Sequence, residues 1–334
     1  MKNKWLIIVI VIFFNWFCNS QTKKINGISF VASPNKINQD HIIPIKKVLA
    51  NYVALMPFGF IKDLNSPKIT FNSSRQWFGE TEKGIEQYSH EFRKNKIKIM
   101  LKPQIWVWRG EYTGFIKMNS EENWRILENS YSEFIITYAK LAQKINAEIL
   151  CIGTELEKFV ENRPDYWSEL ILKIKKVYKG KLTYAANWDE FNRVPFWSSI
   201  DFIGIDAYFP LSTKKSPSIQ DFVKGWQLHK NNIITVSEMA NKPVLFTEFG
   251  YRSVNYTGKE PWNSDRIEGD VDLKNQSNAL EVIYQQFWNE TWFAGGFLWK
   301  WFHNHAKVGG GNNNRFTPQN KPAEQVIKKA YEQH

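Results

Sequence analysis

The stretch AEILCIGTELEKF, from Ala147 to Phe159, contains the pattern that decides the fold. Its residues 149–153 are apolar enough to be buried on both faces, as in a strand of a parallel sheet. Glu155 follows directly after this run, and KPVLFTEFGYRS, from Lys242 to Ser253, places Glu248 in the same way. A carboxylate at the end of a buried strand is unfavourable unless it faces a polar cleft or a partner. The two segments therefore predict strands that deliver carboxylates to one site.

Similar apolar runs alternate with segments of helical periodicity along the whole chain. Strands are predicted at residues 27–31, 52–56, 97–101, 148–153, 182–187, 202–207, 243–247 and 295–299. Helices are predicted at residues 38–49, 81–95, 121–145, 165–178, 189–197, 219–229, 273–288 and 322–331. Eight strands that are each followed by a helix indicate an α/β protein with a single (β/α)8 TIM barrel.

The first 20 residues have the composition of a signal peptide rather than of a folded domain. Lys2 and Lys4 precede an apolar run at residues 5–14, and Cys18-Asn19-Ser20 offers small residues for cleavage. The apolar run is too short to predict a membrane span. We therefore expect a signal peptide at residues 1–20, a single (β/α)8 domain at residues 21–334, and export to the periplasm or the medium. Lipidation of Cys18, which would anchor the protein to the outer membrane, remains an alternative.

Composition argues against several classes of partner. The chain has a formal net charge of +11, but its Lys and Arg residues are scattered, so we expect a solvated basic surface and no nucleic-acid partner. His303 and His305 are too few for a metal site, and no HExxH or CxxC motif occurs, so no metal or cofactor is expected. Cys151 would be the single cysteine left after export, which excludes an intrachain disulfide. We expect a monomer.

Polar and aromatic side chains follow several of the predicted strands. These are Lys102, Trp106 and Trp108 after the third strand, Asn187 and Trp188 after the fifth, Asp206 and Tyr208 after the sixth, and Trp299 and Trp301 after the eighth. In a TIM barrel the carboxyl ends of the strands build the active site. Glu155 and Glu248 on strands four and seven would then face each other across this ring. Two such carboxylates, one an acid and the other a nucleophile or a base for water, are what cleavage of a glycosidic bond requires.

Eight motifs occur in an order that resembles glycoside hydrolase family 113. They are ALMPFGF, MLKPQIWV, CIGTELEKF, LTYAANW, IDFIGIDAYFPL, VLFTEFGYRS, GGFLWKWF and FTPQNKPA. The resemblance implies a (β/α)8 retaining enzyme of clan A, with Glu155 as acid/base and Glu248 as nucleophile. It also implies endo-β-1,4-mannanase activity. Gln104 stands where a His follows the Lys-Pro pair in much of the family, a departure that bears on subsite specificity.

The other candidate residues have a structural interpretation beside the functional one. Tyr208 resembles the aromatic hydroxyl that hydrogen-bonds the nucleophile in the clan, and Trp299 resembles the floor of the −1 subsite. Lys102 is interpreted as a buried cation beside the carboxylates or as a solvated strand end, and Asn187 as a donor to sugar or to a carboxylate. Large aromatic residues fill cores as well as sugar clefts, so Trp106, Trp108 and Trp188 are interpreted either way. Trp301 is interpreted as a stacking face for sugar.

We expect an oligo- or polysaccharide substrate that is a neutral β-linked hexose polymer, with mannan the first choice. Lys102 is the one cation in the ring of strand ends, whereas a polyuronate cleft would need several. Arg252, four residues after Glu248, is interpreted as a support for its loop. Hydrolysis or transglycosylation of another β-glycan, and a non-catalytic glycan-binding barrel, remain alternatives.

Overall fold

The computed structural model describes residues 23–334, so the signal peptide expected at residues 1–20 lies outside the described residues. Eight parallel strands close a barrel; they are β1 (Ile25–Phe30), β2 (Tyr52–Leu55), β3 (Lys98–Leu101), β4 (Ile149–Thr154), β5 (Lys181–Asn187), β6 (Phe202–Asp206), β7 (Val244–Phe249) and β8 (Phe293–Trp301). Their order around the barrel is β1-β8-β7-β6-β5-β4-β3-β2. The predicted (β/α)8 barrel is therefore confirmed.

Helices flank the barrel and cover its outer face. They are α1 (Gln39–Lys47), α2 (Glu82–Lys94), α3 (Glu121–Lys144), α4 (Glu157–Asn162), α5 (Pro164–Val177), α6 (Ile219–Ala240), α7 (Leu273–Phe287) and α8 (Pro322–Gln333). Several begin at side chains that accept a backbone hydrogen bond, as Ser120 does for α3 and Asp272 for α7. No helix within residues 23–334 has the length and apolar character needed to cross a membrane.

Two helix predictions were wrong in detail. Residues 189–197 form turns that lead into a short 3-10 helix at Trp197–Ser199. Glu190 turns back here to accept hydrogen bonds from Tyr184 (2.7 Å) and from the backbone of Asn187 (3.1 Å), and Pro195 disfavours a helix at the residue before it. Helix α6 continues beyond residue 229 to Ala240, because Ile233 and Ser237 extend its buried face.

The core has two parts, one inside the barrel and one between the barrel and the helices. Inside lie Ile25, Ala54, Met100, Ile149, Cys151, Ala185, Leu245 and Phe297. Cys151 is fully buried, and burial raises the pKa of its thiol to about 11, as suits a small apolar core side chain. The outer part contains the fully buried Trp167, Trp226, Trp288 and Trp301. A good share of the tryptophan content therefore fills the core.

A second, small sheet continues from two barrel strands and was not predicted. Its strands are Phe58–Ile61, Thr70–Phe71 and Gln104–Val107. Pro57 and Pro103 separate these strands from β2 and β3, since proline lacks the N–H group that a central strand needs. The backbone of Gln104 donates to the carbonyl of Pro57 (2.9 Å), which starts the new ladder. This sheet carries Gln104 towards the carboxyl ends of the barrel strands.

Candidate active site

The register of the sheet brings three polar strand ends to one level. Asn187 at the end of β5 is paired with Asp206 at the end of β6, and Asp206 is paired in turn with Glu248 on β7. The carboxyl ends of parallel strands lie at one end of the barrel. Residues more than 60 positions apart in the sequence thus meet at the mouth of the barrel.

Glu248 is buried and its carboxylate is fixed by three donors. Lys102 Nζ (2.5 Å) and Gln104 Nε2 (3.0 Å) both donate to Oε1, and the Tyr208 hydroxyl donates to Oε2 (2.9 Å). Hydrogen bonds of this charge-assisted kind are the strong ones in proteins. The carboxylate therefore has a defined orientation, with one buried ammonium beside it.

Lys102 connects Glu248 to a second buried carboxylate. Its side chain is fully buried, and Nζ also lies 3.0 Å from Asp206 Oδ1, which accepts a further hydrogen bond from Thr247 (2.7 Å). Burial alone would lower the pKa of Lys102, but the charges of Asp206 and Glu248 raise it above its ordinary value. Burial and the charge of Glu248 raise the pKa of Asp206 to about 7. One ammonium thus serves two carboxylates, and Lys102 has no free charge for a substrate.

Glu155 stands directly after β4 in a left-handed conformation, with φ 50°. The backbone N–H of Glu155 donates to the carbonyl of Ala185 on β5 (2.8 Å), and the hydroxyl of Thr113 donates to the carbonyl of Glu155 (3.1 Å). Such a conformation is uncommon for a residue with a side chain and is found at functional sites. Here it bends the chain sharply at the strand end, and Glu155 is half-buried.

The environment of Glu155 favours its protonated form. Burial raises the pKa of Glu155 well above its ordinary value, the charges of Asp206 and Glu248 raise it further, and Lys102 opposes them. The hydroxyl of Tyr112 is buried, and burial and the charge of Glu155 both raise the pKa of this hydroxyl. The two principal carboxyl groups therefore have different surroundings, which is the arrangement that separates an acid from a nucleophile.

The remaining candidate residues occupy different positions around the mouth. Asn187 donates to the carboxylate of Asp189 (3.0 Å). Trp188 is half-buried and stacks on Trp262, with ring centroids 5.3 Å apart and planes at 15°. Trp106 is 40% exposed, whereas Trp299 is half-buried with Lys300 Nζ 5.2 Å from its ring centroid.

One aromatic residue of the predicted ring does not face the cleft. Trp301 is fully buried and packs beside His305. Trp301 ends β8, the strand that also contains Trp299, and it pairs with Phe30 of β1. Trp301 belongs to the core, so its interpretation as a sugar-stacking face was wrong.

Sequence reasoning did not predict the contacts of three members of the site. Asp206 was placed in the ring of strand ends, but its ion pair with Lys102 was not predicted. Gln104 was noticed as a departure from the family pattern, but its contact with Glu248 was not predicted. Trp262 lies in the long segment between β7 and α7, and no local pattern distinguishes it from other exposed tryptophans. Within residues 23–334 no three His, Cys, Asp or Glu side chains form a group that would hold a metal ion.

The chain is similar to known glycosidases. Residues 34–321 match the sequence model of Glycoside Hydrolase Family 113. A family 113 β-mannanase from Alicyclobacillus acidocaldarius, in complex with ManMIm, has a TM-score of 0.80 at 24% identity, over 93% of this chain and 97% of that one.

Two further structures extend the comparison. A complex structure of a family 113 β-1,4-mannanase has a TM-score of 0.81 at 22% identity, over 93% of this chain and 100% of that one. A β-glucuronidase from Ruminococcus gnavus has a TM-score of 0.59 at 13% identity, over 93% of this chain and 50% of that one. At these identities the solved structures show a shared barrel fold. No curated protein sequence matches the chain.

Proposed function

The chain belongs to glycoside hydrolase family 113, and from that premise we propose that it is a retaining enzyme that cleaves β-1,4-linked mannan within the chain. The barrel and the family make it a glycoside hydrolase. The retaining mechanism and the choice of mannan are the proposal. The observation that carries it is the contrast between Glu248, which is held by Lys102, Gln104 and Tyr208, and Glu155, which has no such donors within residues 23–334 and whose surroundings raise its pKa.

In the first step Glu248 attacks the anomeric carbon of the sugar. The bond between that carbon and the glycosidic oxygen breaks, and Glu155 gives its proton to the departing oxygen. A covalent glycosyl ester of Glu248 is formed, and Glu155 is left as a carboxylate. The hydrogen bond from Tyr208 to Oε2 and those to Oε1 orient the attacking carboxylate.

In the second step Glu155 acts as a base. It takes a proton from water, the water oxygen bonds to the anomeric carbon, and the ester bond to Glu248 breaks. The product keeps the configuration of the substrate, and both carboxyl groups return to their starting protonation states. A sugar hydroxyl in place of water would give transglycosylation by the same chemistry.

Two features support a neutral sugar in the cleft. Lys102 is saturated by Asp206 and Glu248, so it offers no charge to a uronate bound there. Trp106 lies two residues after Gln104 on one strand, so both side chains point to the same side. At about 3.3 Å per residue, this places Trp106 about 7 Å further along the strand. That offset suits an aromatic wall for a neighbouring sugar unit.

The family 113 neighbours support mannan as the polymer, because their structures are described as β-mannanases. The proposal is tested by incubating purified protein with β-1,4-linked manno-, gluco- and xylo-oligosaccharides. We expect cleavage of the mannan series, with the β-anomer of the new reducing end appearing first in proton NMR spectra.

Other outcomes would assign a different function. Initial formation of the α-anomer would overturn the retaining mechanism. Cleavage of glucan or xylan alone would overturn the choice of mannan. Binding of all three without turnover would favour a non-catalytic glycan-binding barrel.

We also propose that the mature protein is exported after removal of residues 1–20. The basic start, the short apolar run and the small residues at positions 18–20 support this. The intact mass and the amino-terminal sequence of protein from the envelope fraction test it. A lipid-modified Cys18 at the amino terminus would instead indicate an anchored protein.

A further inference from the structure

A cavity of about 440 Å³ lies between the segment after β6 and the segment between β7 and α7. Its lining includes Thr213, Arg252, Tyr256, Lys259 and Ile267. Sites for small ligands in proteins have volumes of roughly 300–1,000 Å³. The cavity has the size of a monosaccharide site, and the proposed mechanism does not use it.

Arg252 lies in the wall of this cavity and is only 4% exposed. One terminal nitrogen donates to the carbonyl of Ile267 (2.5 Å), and Nε is buried without a partner in the part of the chain that the structure describes. The neighbouring carboxylate of Asp265 pairs with Lys300 instead (2.8 Å). Among residues 23–334 no carboxylate forms an ion pair with Arg252, although a buried charge is costly unless it is paired.

The other charges of the cavity lie at its exposed mouth. Lys259, Glu260 and Glu268 line it there, and Glu260 accepts a hydrogen bond from Asn263 (3.0 Å). Burial lowers the pKa of Arg252, and the charges of Asp265 and Glu268 oppose that effect from a distance. One positive and two negative groups at the mouth disfavour a strongly charged dianion. A ligand with a single negative charge is favoured, because it can form an ion pair with the guanidinium of Arg252 in the cavity wall.

The cavity adjoins the aromatic side of the cleft. Pro261 and Asn263 line it, and they flank Trp262 in the sequence. The ring of Trp262 stacks on Trp188, directly after Asn187 at the end of β5. A sugar branch that leaves the cleft beside Trp262 would therefore meet the cavity.

Resting on the proposed function, we infer that this cavity is an accessory subsite for an acidic sugar unit carried as a side branch by the glycan. Its carboxylate would accept hydrogen bonds from the guanidinium of Arg252, which forms no ion pair within residues 23–334 and is the kind of group best suited to planar carboxylates. Tyr256 is 49% exposed and offers an aromatic face to the sugar ring, and Ile267 offers an apolar one. The neutral backbone of the glycan would occupy the main cleft.

The inference is tested by calorimetric titration of the full mature protein with D-glucuronate and with D-mannose. We expect glucuronate to bind the wild type, and Arg252→Gln to weaken that binding by about tenfold or more, which corresponds to loss of a charge-assisted pair. Ile267→Trp should obstruct the cavity while Arg252 stays in place. Loss of glucuronate binding in this variant tests the inference even if Arg252→Gln does not fold. Both variants should keep the wild-type kcat/KM on unbranched neutral oligosaccharides within about twofold, a difference of less than 0.5 kcal/mol.

Two results would overturn the inference. One is glucuronate binding that is absent in the wild type or unchanged in both variants. The other is binding of sulfate as tight as that of glucuronate, which would mean a general anion site rather than a sugar site. Glucuronate binding is measured without turnover, so its failure is distinguishable from failure of neutral oligosaccharide hydrolysis by the wild type.

Discussion

Glu155 and Glu248 are chemically identical residues at equivalent strand ends, yet their neighbours give them different properties. Glu248 has a buried ammonium and two neutral donors on its oxygens. Glu155 has no ion pair among residues 23–334, and burial and neighbouring negative charges raise its pKa. The two carboxyl groups thus differ because of the residues around them, and this difference is the basis of the roles proposed for them.

Replacing Glu248 with Gln should abolish turnover and leave the fold intact. The amide keeps the shape of the side chain, but it cannot form the covalent intermediate, and no other residue takes its place. Rates on mannan oligosaccharides and circular dichroism spectra provide the measurement. Glu157→Gln is a suitable control, because Glu157 pairs with Arg193 (2.7 Å) at the start of α4. Turnover by Glu248→Gln at a tenth of the wild-type rate or more would refute the assignment.

The pH dependence of activity should depend on Glu155. It must be protonated in the first step, so the rate should fall as pH rises through its pKa, which lies above the ordinary value of 4.5. Glu155→Gln should remove this basic limb and lower the rate on natural oligosaccharides by about 10²–10⁴-fold. An activated aryl glycoside, whose leaving group needs no proton, should lose much less in the first step. An unchanged basic limb in the variant would show that another group is the acid.

At the scale of elements, the segments that follow the strands complete the surroundings of the carboxyl groups at the strand ends. Pro57 and Pro103 interrupt β2 and β3, and the chain continues into the small sheet that brings Gln104 to Glu248. The segment between β7 and α7 is held by the ion pair between Asp265 and Lys300 of β8 (2.8 Å). Strand ends therefore fix the reacting groups, and the connecting segments shape the cleft.

Trp262 should contribute to binding of longer substrates. Its inner face is covered by Trp188, and 44% of its surface remains exposed. Trp262→Ala should reduce kcat/KM for long mannan oligosaccharides about fivefold, since an aromatic contact contributes about 1 kcal/mol. It should have little effect on an aryl monosaccharide.

The matched control for this prediction is Leu228→Ala, which removes an exposed apolar side chain from α6. Equal losses on short and long substrates in Trp262→Ala would argue against a separate binding subsite at this tryptophan.

At the scale of the whole molecule, buried titratable groups make the stability of the fold depend on pH. Glu190 is 2% exposed, and burial raises its pKa to about 7. An acid whose folded pKa lies above its unfolded value stabilises the fold at low pH. That contribution is lost as pH rises from about 4.5 to about 7. Lys321 acts in the opposite sense, since burial lowers its pKa to about 7 and the folded state gains stability as pH rises above that value.

Glu190→Gln should flatten the decline of stability between pH 4.5 and 7. The wild type loses up to about 1.4 kcal/mol per pH unit from one such group, and the neutral amide loses nothing from this source. Urea unfolding of both proteins at several pH values measures the difference in slope. The variant also loses an acceptor for Tyr184 or Asn187, so its absolute stability should be lower at every pH. Parallel curves would show that Glu190 has no raised pKa.

The sequence by itself determined the barrel and its two principal carboxylates. The strand and helix periods are local properties, so the runs that end at Glu155 and Glu248 could be recognised without contacts between distant segments. The eight strands and most of the helices lie where those periods predict them. Local periodicity also suggested a helix at residues 189–197, where the contact of Glu190 with Tyr184 prevailed.

Only the tertiary structure decided which polar groups meet. Lys102 lies 104 residues from Asp206 and 146 from Glu248, and Gln104 lies 144 from Glu248. The tertiary structure also placed Trp301 in the core and Trp262 against Trp188. Nothing within a short window of sequence specifies such pairs, because each depends on the register of the strands and the paths of the connecting segments. The charge of Lys102 and the protonation of Glu155 follow from those distances, since electrostatic interactions depend on separation and burial rather than on position in the sequence.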